Sequence, residues 1–140
     1  MSALESRLDK LRDRAPRFIH LLGGRLQSID PDRQRAVFEF DVSGDFCHSI
    51  DVIQGGFVTA MLDAAMAHAC LGCIEDVIGV SSLEIKTSYL ATSRAGSLRA
   101  EGQVVRAGHK IVFLEGRLYN AAGDLTATAS SVAKLSRRGN

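Results

Sequence analysis

Tryptophan is absent from this chain, proline occurs twice and cysteine three times in 140 residues. With only 13 glycines and no tract of Gly or Pro, a collagenous, low-complexity or linker-like polypeptide is excluded. Cys47, Cys70 and Cys73 are too few, and odd in number, for a disulfide framework. Charge of one sign is lacking as well. The 17 basic and 16 acidic residues leave a net charge of +1, with no bulk electrostatic reason to bind nucleic acid or an anionic membrane. The N-terminus "MSALESRLDKL" has no apolar run, so no secretory signal is visible and a cytoplasmic protein is expected. A G-x-S-x-G elbow, a Gly-rich phosphate loop and internal repeats are all missing. What remains is one globular domain over 1–140, with 46% hydrophobic and 24% charged residues, long enough to bury a core.

One long apolar run stands out, "DVIQGGFVTAMLDAAMAHACLG", Asp51 to Gly72. Gly55 to Leu71 reads as a helix interrupted only by Thr59, Asp63 and His68, with Gly72 as its expected stop. The run falls short of the roughly 20 residues of a membrane span and carries Asp63 and His68, which points to a core helix. A carboxylate at Asp63 is costly there unless something solvates or pairs it. His68 is expected to be a satisfied core or interface histidine. Cys70 and Cys73 form a C-x-x-C at the helix C-terminal end, where the dipole disfavours a thiolate. No second ligand pair follows, so both are expected to pack, with neither metal nor redox cofactor.

Around this helix the chain alternates between polar and apolar. Ser2 and Glu5 form a capping box ahead of Leu4, Leu8 and Leu11, which predicts a short amphipathic N-terminal helix. The basic cluster Arg7 to Arg17 includes Asp9 and Asp13 and reads as a solvated helix face. "GRLQSID" and "QRAVFEFDV" are strands joined by a turn at Pro31-Asp32, the second with Ala36, Phe38, Phe40 and Val42 on one face. After the helix come "SLEIKTSYL", with Leu83, Ile85 and Tyr89 on one face, "SLRAEGQVV", with Leu98, Ala100 and Val104, then "KIVFLEGRLY" and "LTATASSVAKL". The expected architecture is α+β: a curved antiparallel sheet of five to six strands wrapped around one long central helix, plus the N-terminal helix.

That order, with "QGGFVTAMLD", "SLEIKTSYLATSRAG" and "RAGHKIVFLEGRL", resembles the hotdog-fold acyl-CoA thioesterases, particularly the phenylacetate-pathway (PaaI-like) branch, over roughly Gly23 to Leu135. Residues 1–22 precede the hotdog core. The resemblance implies hydrolysis of an acyl-CoA to a carboxylic acid and coenzyme A without a cofactor. It also implies a homodimer, assembled into a tetramer, in which glycine and acid meet across the subunit interface. Gly55 would offer its backbone N–H to the thioester oxygen at the helix N-terminus. Asp63 would act as general base or nucleophile, and Ser82 would orient the water or the carboxylate. Gln54 stands where relatives commonly have His, and His48 where they often have Asn; each is a candidate donor to the thioester oxygen. Gly56 and Phe57 would line the substrate site. Arg106, His109 and Lys110 form a basic turn suited to coenzyme A phosphates. The alternatives are a non-catalytic acyl-CoA-binding hotdog module and a hotdog hydratase or dehydratase.

Overall fold

The computed structural model describes residues 1–139. Three helices, α1 (Ala3–Asp13), α2 (Arg17–Leu21) and α3 (Gly55–Cys73), accompany six strands. The strands are β1 (Gly24–Asp30), β2 (Arg35–Val42), β3 (Val77–Tyr89), β4 (Gly96–Ala107), β5 (Ile111–Asn120) and β6 (Leu125–Arg137). They form one sheet in the order β1-β2-β4-β5-β6-β3, antiparallel at every pairing. The expected sheet of five to six strands around one helix is therefore a sheet of six.

Period-two patterning decides which face turns inward. Ala36, Phe38, Phe40 and Val42 of β2, Leu98, Ala100 and Val104 of β4, and Val112, Leu114 and Leu118 of β5 are all buried. They meet Val58, Met61, Leu62, Ala65, Met66 and Ala69 of α3. The alanines let helix and sheet come close, and at β4 the approach is extreme. A Cβ on Gly102 would lie 2.1 Å from the Ala65 carbonyl oxygen, so only glycine leaves room for the helix backbone.

Four local expectations need correction. Gly72 does not stop α3, which runs on to Cys73; a Cβ there would lie 2.7 Å from Ile29 of β1, so the glycine serves close packing instead. Leu83 does not share a face with Ile85 and Tyr89. A bulge between Ser82 and Glu84 resets the register, leaving Leu83 exposed and turning Ser82, Ile85, Thr87 and Tyr89 toward α3. Half of the capping box is present, Ser2 Oγ accepting from the Glu5 N–H at 3.1 Å. The basic cluster is also more than a solvated face. Arg7 donates to the Gly72 carbonyl at 3.0 Å and Arg12 to that of Leu26 at 2.8 Å, tying α1 to α3 and β1. Leu8 and Leu11 pack against the core behind them.

His68 is a core residue, as its surroundings suggested. Its Nδ1 lies 2.8 Å from the Ala64 carbonyl oxygen, and Phe38 meets its ring edge-on at 4.9 Å between centroids. Burial holds its pKa below the ordinary value, an effect the Ala64 bond only partly offsets.

Two consequences are measurable. Gly102→Ala should lower stability by about 3 kcal/mol or more, because the added methyl meets helix backbone that has nowhere to move. Thermal unfolding with an unchanged Tm would mean that helix and sheet are less tightly apposed. For His68 the unfolded chain takes up the proton first as pH falls, since its pKa there is about 6.5. The stability tied to neutral His68 is thus fully present above that pH. It declines as pH falls toward the lowered folded value, by at most about 1.4 kcal/mol per unit. Urea midpoints at several pH values should show this decline, and His68→Met should flatten it relative to the wild type.

Candidate active site

Helix α3 is apolar almost all round, yet one sheet cannot surround it. Gly55, Thr59, Asp63, Ala67 and Leu71, spaced by four along one stripe, are each only half-buried. That stripe faces β3, the last strand of the sheet, whose outer edge has no partner among the described residues. Asp63 therefore lies on the open flank of the helix and not among the core residues. The desolvation its sequence context implied is not imposed by the protomer.

A series of polar contacts links the stripe to β3. Ser82 Oγ donates to Asp63 Oδ1 at 2.9 Å. Thr59 Oγ1 lies 2.8 Å from Thr87 Oγ1 and 3.1 Å from the Tyr89 hydroxyl, and that hydroxyl donates to the Gly55 carbonyl at 2.8 Å. Proton counting gives this chain a direction. Tyr89 has one hydroxyl hydrogen and gives it to Gly55, so Thr59 must donate to Tyr89, and Thr87 to Thr59. Sequence reasoning paired Ser82 with Asp63 through the resemblance, but it missed Thr59, Thr87 and the hydroxyl role of Tyr89. The available signal was the four-residue spacing of Gly55, Thr59 and Asp63 on an otherwise apolar helix.

The start of α3 has unused donors. The Phe57 and Val58 N–H groups both go to the Gln54 carbonyl, at 2.9 and 3.3 Å. This leaves the Gly55 and Gly56 N–H groups without an intrahelical acceptor, at the positive end of the dipole. A Cβ on Gly55 would lie 2.9 Å from the Tyr89 hydroxyl, whereas one on Gly56 would meet nothing within 4 Å. A side chain therefore has room at Gly56 and none at Gly55. Gln54 occupies the N-cap, but its side chain makes no capping bond.

A folded loop leads into this helix. Cys47 bridges Ile53, the Gln54 N–H donates to the Phe46 carbonyl at 2.9 Å, and Phe46 packs edge-on against Phe57 with centroids 4.9 Å apart. His48 sits exposed on the loop, its Nδ1 3.0 Å from Ser49 Oγ. It and Gln54 lie near the helix start, but neither side chain is bonded to Gly55, Asp63 or Ser82 among the described residues.

The basic turn lies at the other end of the helix. Arg106 is on β4, and His109 and Lys110 form the tip before β5. Arg137 donates to the carbonyls of His109 at 2.7 Å and Glu75 at 3.1 Å, tying that tip to the segment just after α3. Within one protomer Arg106, His109 and Lys110 are thus at the opposite pole from Gly55. Cys70 and Cys73 are not activated. Burial pushes the Cys70 thiol up to about 12, Cys73 adding to the effect. Burial raises Cys73 as well, its Sγ lying 3.5 Å from the Asp30 carbonyl oxygen. Among the described residues no cluster of three His, Cys, Asp or Glu side chains is placed to hold a metal.

Known proteins resemble this chain in sequence and in structure. A protein of Saccharolobus solfataricus with a provisional esterase designation, SSO2140, is 28% identical over 101 residues, 72% of this chain and 71% of its own. A crystal structure from Ralstonia eutropha JMP134, described provisionally as a thioesterase and as phenylacetic acid degradation-related, superposes with a TM-score of 0.82. The match is 28% identical and covers 94% of this chain and 98% of that one. The Escherichia coli PaaI protein, from the phenylacetic acid degradation operon, shares the fold at a TM-score of 0.82 and 19% identity, over 99% and 98% of the two chains. The family model of the thioesterase superfamily matches residues 51–127, from the loop before α3 to the start of β6. More than half of the chain lies in that match, and this hotdog-fold, PaaI-like protein belongs to the thioesterase superfamily, whose chemistry is thioester hydrolysis.

Proposed function

We propose that the protein hydrolyses acyl-CoA thioesters in a site shared by two subunits. The observation that carries this reading is the Ser82–Asp63 pair at 2.9 Å on the open flank of a helix whose first N–H groups are unused. Ser82 occupies one carboxylate oxygen and steadies the group, leaving the other free to act. As general base, Asp63 takes a proton from water while the water oxygen attacks the thioester carbon. The carbonyl oxygen becomes an oxyanion facing the glycine N–H groups. When the intermediate collapses, the C–S bond breaks and the proton on Asp63 passes to the departing thiolate. Attack by the carboxylate itself, through an anhydride, uses the same atoms.

One subunit cannot do this alone. Eight residues separate Gly55 from Asp63, about 12 Å along the axis at 1.5 Å each. One carbonyl cannot reach both. A second copy related by a two-fold axis would bring its acid to the first copy's glycines. The unpaired edge of β3, with exposed Ile78, Leu83 and Tyr89 along it, suits that role. The same symmetry favours Arg106, His109 and Lys110 as phosphate contacts. Their turn adjoins the end of α3 about 15 Å past Asp63, ten residues on, beyond the partner's helix start. His48 and Gln54, near the glycines, are the further candidate donors, and Phe57 lines the approach. Tetramer assembly and a cytoplasmic setting complete the proposal.

A panel of acyl-CoAs with a free-thiol readout tests it. Turnover on at least one member is expected, and Asp63→Asn should cut it about 10²–10⁴-fold. Saturable binding without thiol release would instead favour a non-catalytic binding module. Mixing subunits tests the shared site. Asp63→Asn and Gly55→Ala chains should each be impaired as homodimers. Their hybrid would hold one intact site, so co-expression should restore up to half the activity of that hybrid's wild-type counterpart. No restoration would place glycine and acid in a single subunit. Hydrolysis in H₂¹⁸O under single-turnover conditions separates base from nucleophile: direct water attack labels the product acid, whereas carboxylate attack first delivers unlabelled oxygen from Asp63.

A further inference from the structure

We infer that the outer face of the sheet, over β5, β6 and β3, docks a second copy of this chain back to back. The product, a tetramer of two edge-paired dimers, rests on the shared-site reading above; the face itself does not. On β2 and β4 the polar side chains of the outer face find partners within the protomer. Arg99 pairs with Glu101 at 3.1 Å and lies over the Tyr119 ring at 4.8 Å, and Arg35 donates to Gln103 at 3.0 Å. Across β5, β6 and β3 this stops. Glu84, Lys86, Glu115, Arg117 and Lys134 are all exposed, and among the described residues their side chains make no ion pair or hydrogen bond.

Strand register shows what would partner them. Lys86 of β3 and Glu115 of β5 both stand opposite Ser130 of β6, so the three share one rung. The next rung is Ser88, Thr128 and Arg117, and these six residues line a trough of about 320 Å³. On the other side the rung is Glu84, Val132 and Phe113, the last 47% exposed. A two-fold axis laid along β6 between two such faces carries β3 of one copy over β5 of the other. Lys86 then faces the partner's Glu115, and Glu115 faces the partner's Lys86. Because the sheet wraps around α3, its outer face is convex, and two such faces meet first along their midline. The small Thr128 and Ser130 let them close in there, while the longer charged side chains span the widening gap. Val132 meets its own counterpart with Phe113 beside it, which supplies apolar burial, and the charges fix the register. Three cations and two acids interleave on this face, so it suits neither a polyanion nor a polycation. Its own copy is the surface that matches it.

Sedimentation velocity on the full chain reads this assembly without any substrate. The wild type should be a tetramer. Lys86→Glu and Glu115→Lys each set like charges face to face, and each should halve the mass to that of a dimer. Combining the two substitutions restores opposite charges across the axis and should restore the tetramer, which excludes misfolding as the cause of the loss. A dimeric wild type whose single variants are monomers would uphold the face and sink the edge-paired dimer instead. Single variants that keep the wild-type mass, or a double variant that does not regain it, would overturn the docking. In that event, shifts of the Arg117 and Ser130 amides on adding inorganic phosphate would assign the trough to an anion. A protein that shows the expected masses yet turns over no thioester would sink the enzymatic reading alone.

Discussion

A helix that is apolar nearly all round must be covered nearly all round, and one six-stranded sheet does not reach that far. The rest of this structure follows from that shortfall. The sheet presses hardest at its middle, where Gly102 lets β4 meet the backbone of α3 at Ala65. It then curls along both flanks until β1 and β3 end it. Near β1 the gap is closed by α1, held down by Arg7 and Arg12 on backbone carbonyls of Gly72 and Leu26. Near β3 none of the described residues closes it, and the residues there change character. The stripe that would otherwise be apolar carries Gly55, Thr59 and Asp63, and β3 answers with Tyr89, Thr87 and Ser82.

This arrangement reconciles two demands that usually conflict. A reactive carboxylate needs an environment that can be dried, while a folding protomer cannot bury an unpaired charge without loss. Placing Asp63 on the uncovered flank lets the chain fold with the acid still in contact with water, already holding one hydrogen bond from Ser82. In the proposed dimer, drying comes only when a second copy covers the edge, and by then the acid faces the partner's helix N-terminus, where negative charge is favoured. Under that proposal, folding and activation of the site would be separate steps governed by different contacts.

Much of the fold was legible because it rests on local periodicity. The alternation in β2, and in β4 as far as Val104, survives into the buried face, since each of those strands has one face on α3. Legibility failed where a second strand had a say. The bulge that turns Ser82 rather than Leu83 inward exists only relative to β6, and nothing in "SLEIKTSYL" marks it. Gly72 looked like a helix stop for a similar reason: the side chain that requires a glycine there belongs to Ile29, 43 positions earlier. The site divided along the same line. Gly55, Asp63 and Ser82 were named through the resemblance, and the Ser82–Asp63 contact is present. The hydroxyl chain from Thr87 to Gly55 was not foreseen, because it joins residues 28 to 34 positions apart whose types alone suggest ordinary strand and helix surface.

The departures from the family pattern, Gln54 and His48, acquire a physical meaning against this background. Gln54 spends its backbone on the helix start, accepting from Phe57 and Val58 while donating to Phe46. Its side chain, without a capping bond, is left outside the helix beside the glycines. His48 rides on a loop that the Cys47–Ile53 bridge and the Arg94–Asp51 ion pair hold in shape. Both side chains are thus attached to ordered backbone, His48 in contact with Ser49 Oγ and Gln54 without a capping bond. In the proposed site, a neutral amide or an imidazole at such positions would add side-chain donors beside the backbone N–H groups of the helix start. On the proposed reading, the helix start supplies the backbone donors to the thioester carbonyl and the loop that precedes it supplies the side-chain ones.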